Sequence, residues 1–100
     1  MRPTSLLVTV TGHDRPGVTA VIFAALAAHD VDVRDVDQSV AGERATLSVL
    51  VDLRGDTAAL RHSVSSTADA FGVTSRVEDA DGHAPALRKR RPRYRDGRSR

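Results

Sequence analysis

A short segment between two apolar runs, Thr11–Thr19 (TGHDRPGVT), holds the residues best suited to chemistry. Its pattern predicts a strand-to-helix junction, where backbone N–H groups at the helix start lack partners and attract anions. Asp14 would place a carboxylate beside these donors. A zwitterion suits this arrangement, because its carboxylate can accept from the N–H groups of residues 17 and 18 while its ammonium group binds Asp14.

A second interpretation of the same segment stays open. Gly12 and Gly17 would let a ligand approach the backbone closely, but glycine, aspartate and proline are also common at ordinary helix starts. If the segment is an ordinary helix start, the Asp14 side chain caps the helix. Pro16 is predicted to occupy the first helical turn, where a backbone N–H would have no helical partner anyway. His13 could donate to a ligand carboxylate or face solvent.

Other candidate groups predict no further site. Asp35 and Asp37, in DVDQSV, resemble a dehalogenase-type nucleophile motif, but that chemistry needs a distant lysine, more aspartates and magnesium, so they are predicted to be surface charges on an edge strand. No cysteine is present. The histidines lack metal-ligand spacing, and neither a metal nor a cofactor is expected. The four histidines are His13, His29, His62 and His83.

The elements that must position the junction follow from apolar periodicity. Ser5–Thr11 alternates as a strand, and Pro16–His29 changes to a helical stripe of Val18, Val21, Ile22, Ala25 and Leu26. Asp30–Val40 predicts a strand whose phase slips between Val33 and Val36, which indicates either a bulge or a late start of the strand.

The second half of the chain repeats the pattern. Gly42 predicts a hairpin turn, and Arg44–Leu53 alternates cleanly as a third strand. Asp56 should cap a second helix whose stripe is Leu60, Val64, Ala68 and Phe71, and Gly72–Glu78 predicts a short last strand. The order β-α-β-β-α-β predicts an α+β, ferredoxin-like sandwich, with an antiparallel sheet in the order 4-1-3-2 and both helices on one face. The other face would expose Thr9, Thr11, Thr46, Ser48 and Leu50.

The segment from Val8 to Val40 resembles the start of an ACT domain, the small-molecule sensing module of amino-acid metabolism. The ACT pattern Gly-x-Asp-x-Pro-Gly is matched by Gly12, Asp14, Pro16 and Gly17. VTGHDRPGVTAVIF, HDV and VDQSV are similar to the N-terminal ACT region of bacterial phosphoserine phosphatases. The resemblance covers residues 5–79 and places the domain at residues 1–80.

The resemblance implies a regulatory domain that binds L-serine or a related amino acid at an interface between paired domains. Its ligand-binding residues would be Gly12, His13, Asp14, Arg15, Pro16, Gly17 and Val18, with Asp32 as the contribution from a partner domain. A homodimer, or pairing with another ACT domain, is therefore expected. The catalytic domain of those phosphatases has no counterpart in this sequence, so the chain as given is not expected to be an enzyme.

Charge divides the chain in two. Residues 88–100 hold eight Lys or Arg and one Asp, whereas residues 1–87 hold seven Arg and twelve acidic residues. Residues 81–100 are predicted to be a disordered linker or tail. Two alternative functions stay open: a nucleic-acid-binding module that acts through the tail, and a dimerisation domain without ligand. With no membrane-spanning run or signal peptide in the sequence, a cytoplasmic location without membrane partners is expected.

Overall fold

The computed structural model describes residues 2–80 of the chain, and the predicted basic tail lies outside the described residues. Six elements follow one another in the predicted order. They are β1 (Thr4–His13), α1 (Val18–Ala27), β2 (Val31–Ala41), β3 (Arg44–Leu53), α2 (Thr57–Phe71) and β4 (Thr74–Asp79). The strands form one antiparallel sheet in the order β2-β3-β1-β4, so the predicted ferredoxin-like topology is confirmed.

The core lies between the two helices and one face of the sheet. On β1, the side chains of Leu6, Val8 and Val10 are buried, as the alternation predicts. Ile22 and Leu26 are the buried residues of α1, and Leu60, Val64 and Ala68 are those of α2. The apolar stripes read from the sequence therefore give the packing faces of both helices.

Helix α1 begins two residues later than predicted, at Val18. Its N-cap is Gly17, whose φ of 89° is left-handed and lies outside the helical region. Pro16 thus lies before the cap in a turn, and its predicted place in the first helical turn is wrong. Helix α2, in contrast, starts as predicted, because the Asp56 side chain accepts a hydrogen bond from Ala58 N–H at 2.9 Å.

The predicted bulge in β2 is confirmed. Val33 lies opposite Val51 of β3, but Asp35 lies opposite Leu50, so Arg34 is the extra residue. The guanidinium of Arg34 reaches across to Asp52 Oδ2 at 2.6 Å. The bulge therefore shifts the face of every later β2 residue by one position, which brings Val36 and Val40 onto the same side as the core residues of β3.

The face of the sheet without helices is less open than the sequence suggests. Thr9, Thr11, Thr46 and Ser48 are half-buried there. Leu50, predicted to be exposed on this face, is only 4% exposed, which corrects that prediction. Its neighbours across the sheet are Leu7 and Asp35, and both are half-buried.

Candidate functional site

The predicted junction is a four-residue loop, residues 14–17, between the end of β1 and the start of α1. The loop is tied to the β2–β3 hairpin, because Asp14 N–H donates to the carbonyl oxygen of Glu43 at 2.8 Å. The hairpin turn contains Gly42, whose φ of 64° is the left-handed conformation expected for this turn. The hydrogen bond to the hairpin thus holds the first residue of the loop in place.

The Asp14 carboxylate does not cap the helix. The N-cap of α1 is Gly17, and no side chain accepts a hydrogen bond at this cap. Asp14 is exposed, and among residues 2–80 its carboxylate has no hydrogen-bond or ion-pair partner. The helix-cap interpretation of this residue is therefore wrong, and the carboxylate is accessible to a ligand.

Backbone donors lie next to this carboxylate. In the first turn of α1, Val21 N–H donates to Gly17 O at 3.0 Å, and Val18 N–H makes only a long contact of 3.5 Å with Arg15 O. The N–H groups of Thr19 and Ala20 find no acceptor in the described part of the chain. Such donors, together with the helix dipole, favour an anionic group at this end of the helix.

Arg15 is occupied by a contact with the other helix. Its guanidinium donates to the carbonyl oxygen of Phe71 at 2.6 Å and lies 5.9 Å from the centre of the Phe71 ring. Phe71 is the last residue of α2, where carbonyl groups lack helical partners and attract cations. Arg15 therefore links the loop to α2, and within residues 2–80 Asp14 is the charged loop residue that has no partner.

A small cleft that is open to solvent lies beside the loop. It runs between the start of α1 and the helix-facing side of the sheet. Five of the eight predicted site residues line it: Gly12, His13, Asp14, Arg15 and Val18. Pro16 and Gly17 belong to the same loop but do not line the cleft. The structure therefore brings most of the predicted site together around one concave surface.

Asp32 lies far from this cleft within the same chain. It is at the start of β2, whereas the loop is near the end of that strand. Its carboxylate accepts a hydrogen bond from Arg54 at 3.0 Å, and Asp30 lies 3.6 Å from the same guanidinium. A contribution of Asp32 to a site in a partner domain stays a prediction.

His13 occupies the rim of the cleft. Its Nδ1 lies 3.9 Å from Glu43 Oε1, and both side chains are largely exposed. At this distance and exposure the pair contributes little to stability. The imidazole therefore remains accessible to solvent and to a ligand at the mouth of the cleft.

Gly12 has a structural role that differs from the predicted one. It is buried, and a Cβ added to it would lie 2.6 Å from Cγ1 of Val73. The absence of a side chain at Gly12 thus leaves room for the side chain of Val73, the residue before β4. At Gly17 an added Cβ would meet nothing within 4 Å, so the left-handed backbone is what requires glycine.

Several residues of the cleft were not predicted from the sequence. The residues that line the cleft but were not predicted are Val10, Thr19, Gln38, Ala45, Leu47 and Val73. Gln38 carries a signal that could have revealed it: after the bulge, it lies opposite Leu47 in a row where Val36 and Val40 take the neighbouring positions. A polar residue in an apolar row is informative, but this row becomes visible only once the position of the bulge is fixed.

Comparisons with known proteins agree with this geometry. A family model of the ACT domain matches residues 4–78. The chain belongs to the ACT domain family. It is a small regulatory module, and the two helices and four strands described above are the fold of that family.

Two curated relatives are phosphoserine phosphatases. The ACT domain is 42% identical over 80 residues to phosphoserine phosphatase SerB2 of Mycobacterium tuberculosis, which covers 77% of this chain and 20% of the relative. It is 47% identical over 78 residues to phosphoserine phosphatase of Streptomyces coelicolor, covering 73% of this chain and 18% of the relative. The chain thus spans about a fifth of these relatives, and their enzyme activity lies in other parts of them.

A solved structure gives the same fold. An ACT domain protein from Streptococcus pneumoniae superposes with a TM-score of 0.70 at 23% identity, covering 81% of this chain and 94% of that one. Among the described residues, no helix is long and apolar enough to cross a membrane. Nor does the described part hold a cluster of three His, Cys, Asp or Glu side chains that could bind a metal ion.

Proposed function

We propose that this ACT domain binds a free amino acid, L-serine or a close relative, in the cleft beside the Asp14 loop. The observation that carries the proposal is that, among residues 2–80, neither the Asp14 carboxylate nor the N–H groups of Thr19 and Ala20 at the start of α1 have a partner. Asp14 and Thr19 both line the cleft. A carboxylate binds a cation and an unpaired N–H group binds an anion, which matches the two charges of an amino acid. Serine is favoured because it is the amino acid released by a phosphoserine phosphatase, the activity named for the two curated relatives.

The expected affinity is that of a metabolite sensor. Serine has about seven heavy atoms, and small ligands gain at most ~1.5 kcal/mol per atom. Charge-assisted hydrogen bonds contribute roughly 1.5–3 kcal/mol each, and ordering the loop and ligand reduces the sum. A net of about −5 to −7 kcal/mol corresponds to a Kd between ~10 μM and ~0.2 mM.

Calorimetric titration of the full chain with L-serine tests the proposal. We expect heat of binding in that range, and a loss of about tenfold or more in Asp14→Ala, because the ligand ammonium group then has no carboxylate. Asp37→Ala is the matched control, since Asp37 is an exposed carboxylate on β2 outside the cleft. Absence of heat with every proteinogenic amino acid at millimolar concentration, or serine binding unchanged by Asp14→Ala, would contradict the proposal.

We also propose that the domain pairs with a second ACT domain along β2. Three valines on this edge strand are exposed: Val33 by 46%, Val36 by 42% and Val40 by 56%. They lie on the helix side of the sheet, opposite Val51, Val49 and Ala45 of β3, and they belong to its edge strand. An apolar row beside unpaired backbone groups supports association of two edges.

A further inference from the structure

Gln38 is a polar group on the sheet side of the cleft. The cleft residues of β3, Ala45 and Leu47, have apolar side chains, and so does Val10 of β1. In the described part of the chain, the Gln38 amide has no hydrogen-bond partner. An amide that interrupts an apolar wall and has no protein partner can donate to and accept from a ligand.

The two sides of the cleft thus offer different chemistry. The Asp14 loop and the start of α1 offer one carboxylate and backbone donors, which suit the groups that all amino acids share. The sheet wall offers small apolar surfaces and the Gln38 amide. A ligand whose charged groups are held at the loop would direct its side chain towards the wall, where only a small side chain with one polar group finds both kinds of contact.

We propose that Gln38 determines ligand specificity by forming a hydrogen bond with the side-chain hydroxyl of the bound amino acid. This inference rests on the proposed function, because it assigns the side-chain selectivity of that same site. A ligand without the hydroxyl does not form this hydrogen bond, so L-alanine binds less tightly than L-serine. A neutral hydrogen bond of the usual strength corresponds to a preference of about five- to tenfold.

The test is calorimetric titration of the full chain and of Gln38→Leu with L-serine and with L-alanine. We expect the wild-type chain to prefer serine about five- to tenfold. In Gln38→Leu serine affinity falls by that factor while alanine affinity stays within twofold, so the preference disappears. Asp14→Ala should weaken both amino acids and keep their ratio. Ser39→Ala, on the opposite face of the same strand, should change neither.

The outcomes separate the two proposals. A serine-to-alanine ratio unchanged in Gln38→Leu, or an equal loss for both amino acids, overturns the role of Gln38 and leaves amino-acid binding intact. Absence of binding of either amino acid to the wild-type chain overturns both. Because Gln38 is exposed, the leucine variant should fold, and an unchanged thermal unfolding midpoint checks this directly.

Discussion

Gly12 shows how a single side-chain atom can disturb this fold. A Cβ at position 12 would lie 2.6 Å from Val73 Cγ1 and 3.3 Å from Val73 Cα, so part of the conflict is with backbone that cannot rotate away. We expect Gly12→Ala to lower the free energy of unfolding by about 1–3 kcal/mol, as overpacking does in other cores. Urea unfolding followed by circular dichroism measures the change.

Gly55→Ala is the matched control for this substitution. Its added Cβ would lie 3.9 Å from Leu53 Cδ1, an ordinary contact, so the unfolding midpoint should change little. Val73→Ala combined with Gly12→Ala should recover part of the loss, because the conflicting methyl group is removed. A Gly12→Ala variant as stable as the wild type would show that the contact is less close than described.

Individual residues were predictable to different degrees. The position and accessibility of Asp14 follow from a local pattern, and the structure agrees with both. The Gly12–Val73 contact joins positions 61 residues apart in sequence, and nothing near Gly12 reveals it. Arg15 is similar, since its bond to Phe71 depends on how the two helices pack.

At the scale of elements, Asp52 links three strands, and the bulge residue Arg34 is one of its two partners. Asp52 of β3 accepts hydrogen bonds from Ser5 of β1 at 2.7 Å and from Arg34 of β2 at 2.6 Å. The Ser5 hydroxyl, and then the charge and hydrogen bond of Arg34, lower the pKa of Asp52 below its usual value, although partial burial opposes this. The ionised carboxylate therefore stabilises the sheet.

The hydrogen bonds to Asp52 make the free energy of unfolding depend on pH in the acid range. Because the Asp52 pKa is lower in the folded state, its contribution is present above the unfolded value of about 3.9 and is lost as pH falls through the folded value. Ser5→Ala should cost about 1–2 kcal/mol at pH 7, and much less near pH 2. Urea midpoints measured from pH 7 to pH 2 check this, with Ser39→Ala as control; a difference independent of pH would refute it.

The edge strand β2 gives a prediction about association. Val36→Lys places a charge in the exposed valine row, so it should raise the dissociation constant of a paired domain by tenfold or more. Sedimentation equilibrium at high micromolar concentration measures the mass. Ala59→Lys adds the same charge on the exposed side of α2 and should leave association unchanged. A wild-type chain that is monomeric at every concentration would exclude pairing along β2.

Most element boundaries were predictable because each element has its own period. β3 was predicted with the bounds observed, and Asp56 marks the start of α2. The start of α1 was placed too early, since the left-handed conformation of Gly17 cannot be distinguished in sequence from an ordinary helix residue after proline. The predicted bulge was located within three residues, which did not suffice to place Gln38 on the cleft side.

At the scale of the whole molecule, strand order follows from the handedness of the two crossovers and needs no details of packing. Leu50 shows the limit of that reasoning, because its burial on the helix-free face depends on neighbours from two other strands. The cleft is likewise a property of the assembled chain, since it combines residues from β1, α1, β2 and β3 with Val73. The sequence could therefore place the loop but not the wall opposite it.

The pairing of β1 with β4 also determines where the folded body can be joined to other chains. Leu6 lies opposite Asp79, and Ala80 N–H donates to Ser5 O at 2.9 Å, so the two ends of the body leave adjacent strands about 5 Å apart. They lie at the start of β1, about 30 Å from the cleft at its other end. Residues 4–80 therefore have a geometry that allows insertion into a surface loop of a host protein, with both junctions at the end of β1 away from the cleft.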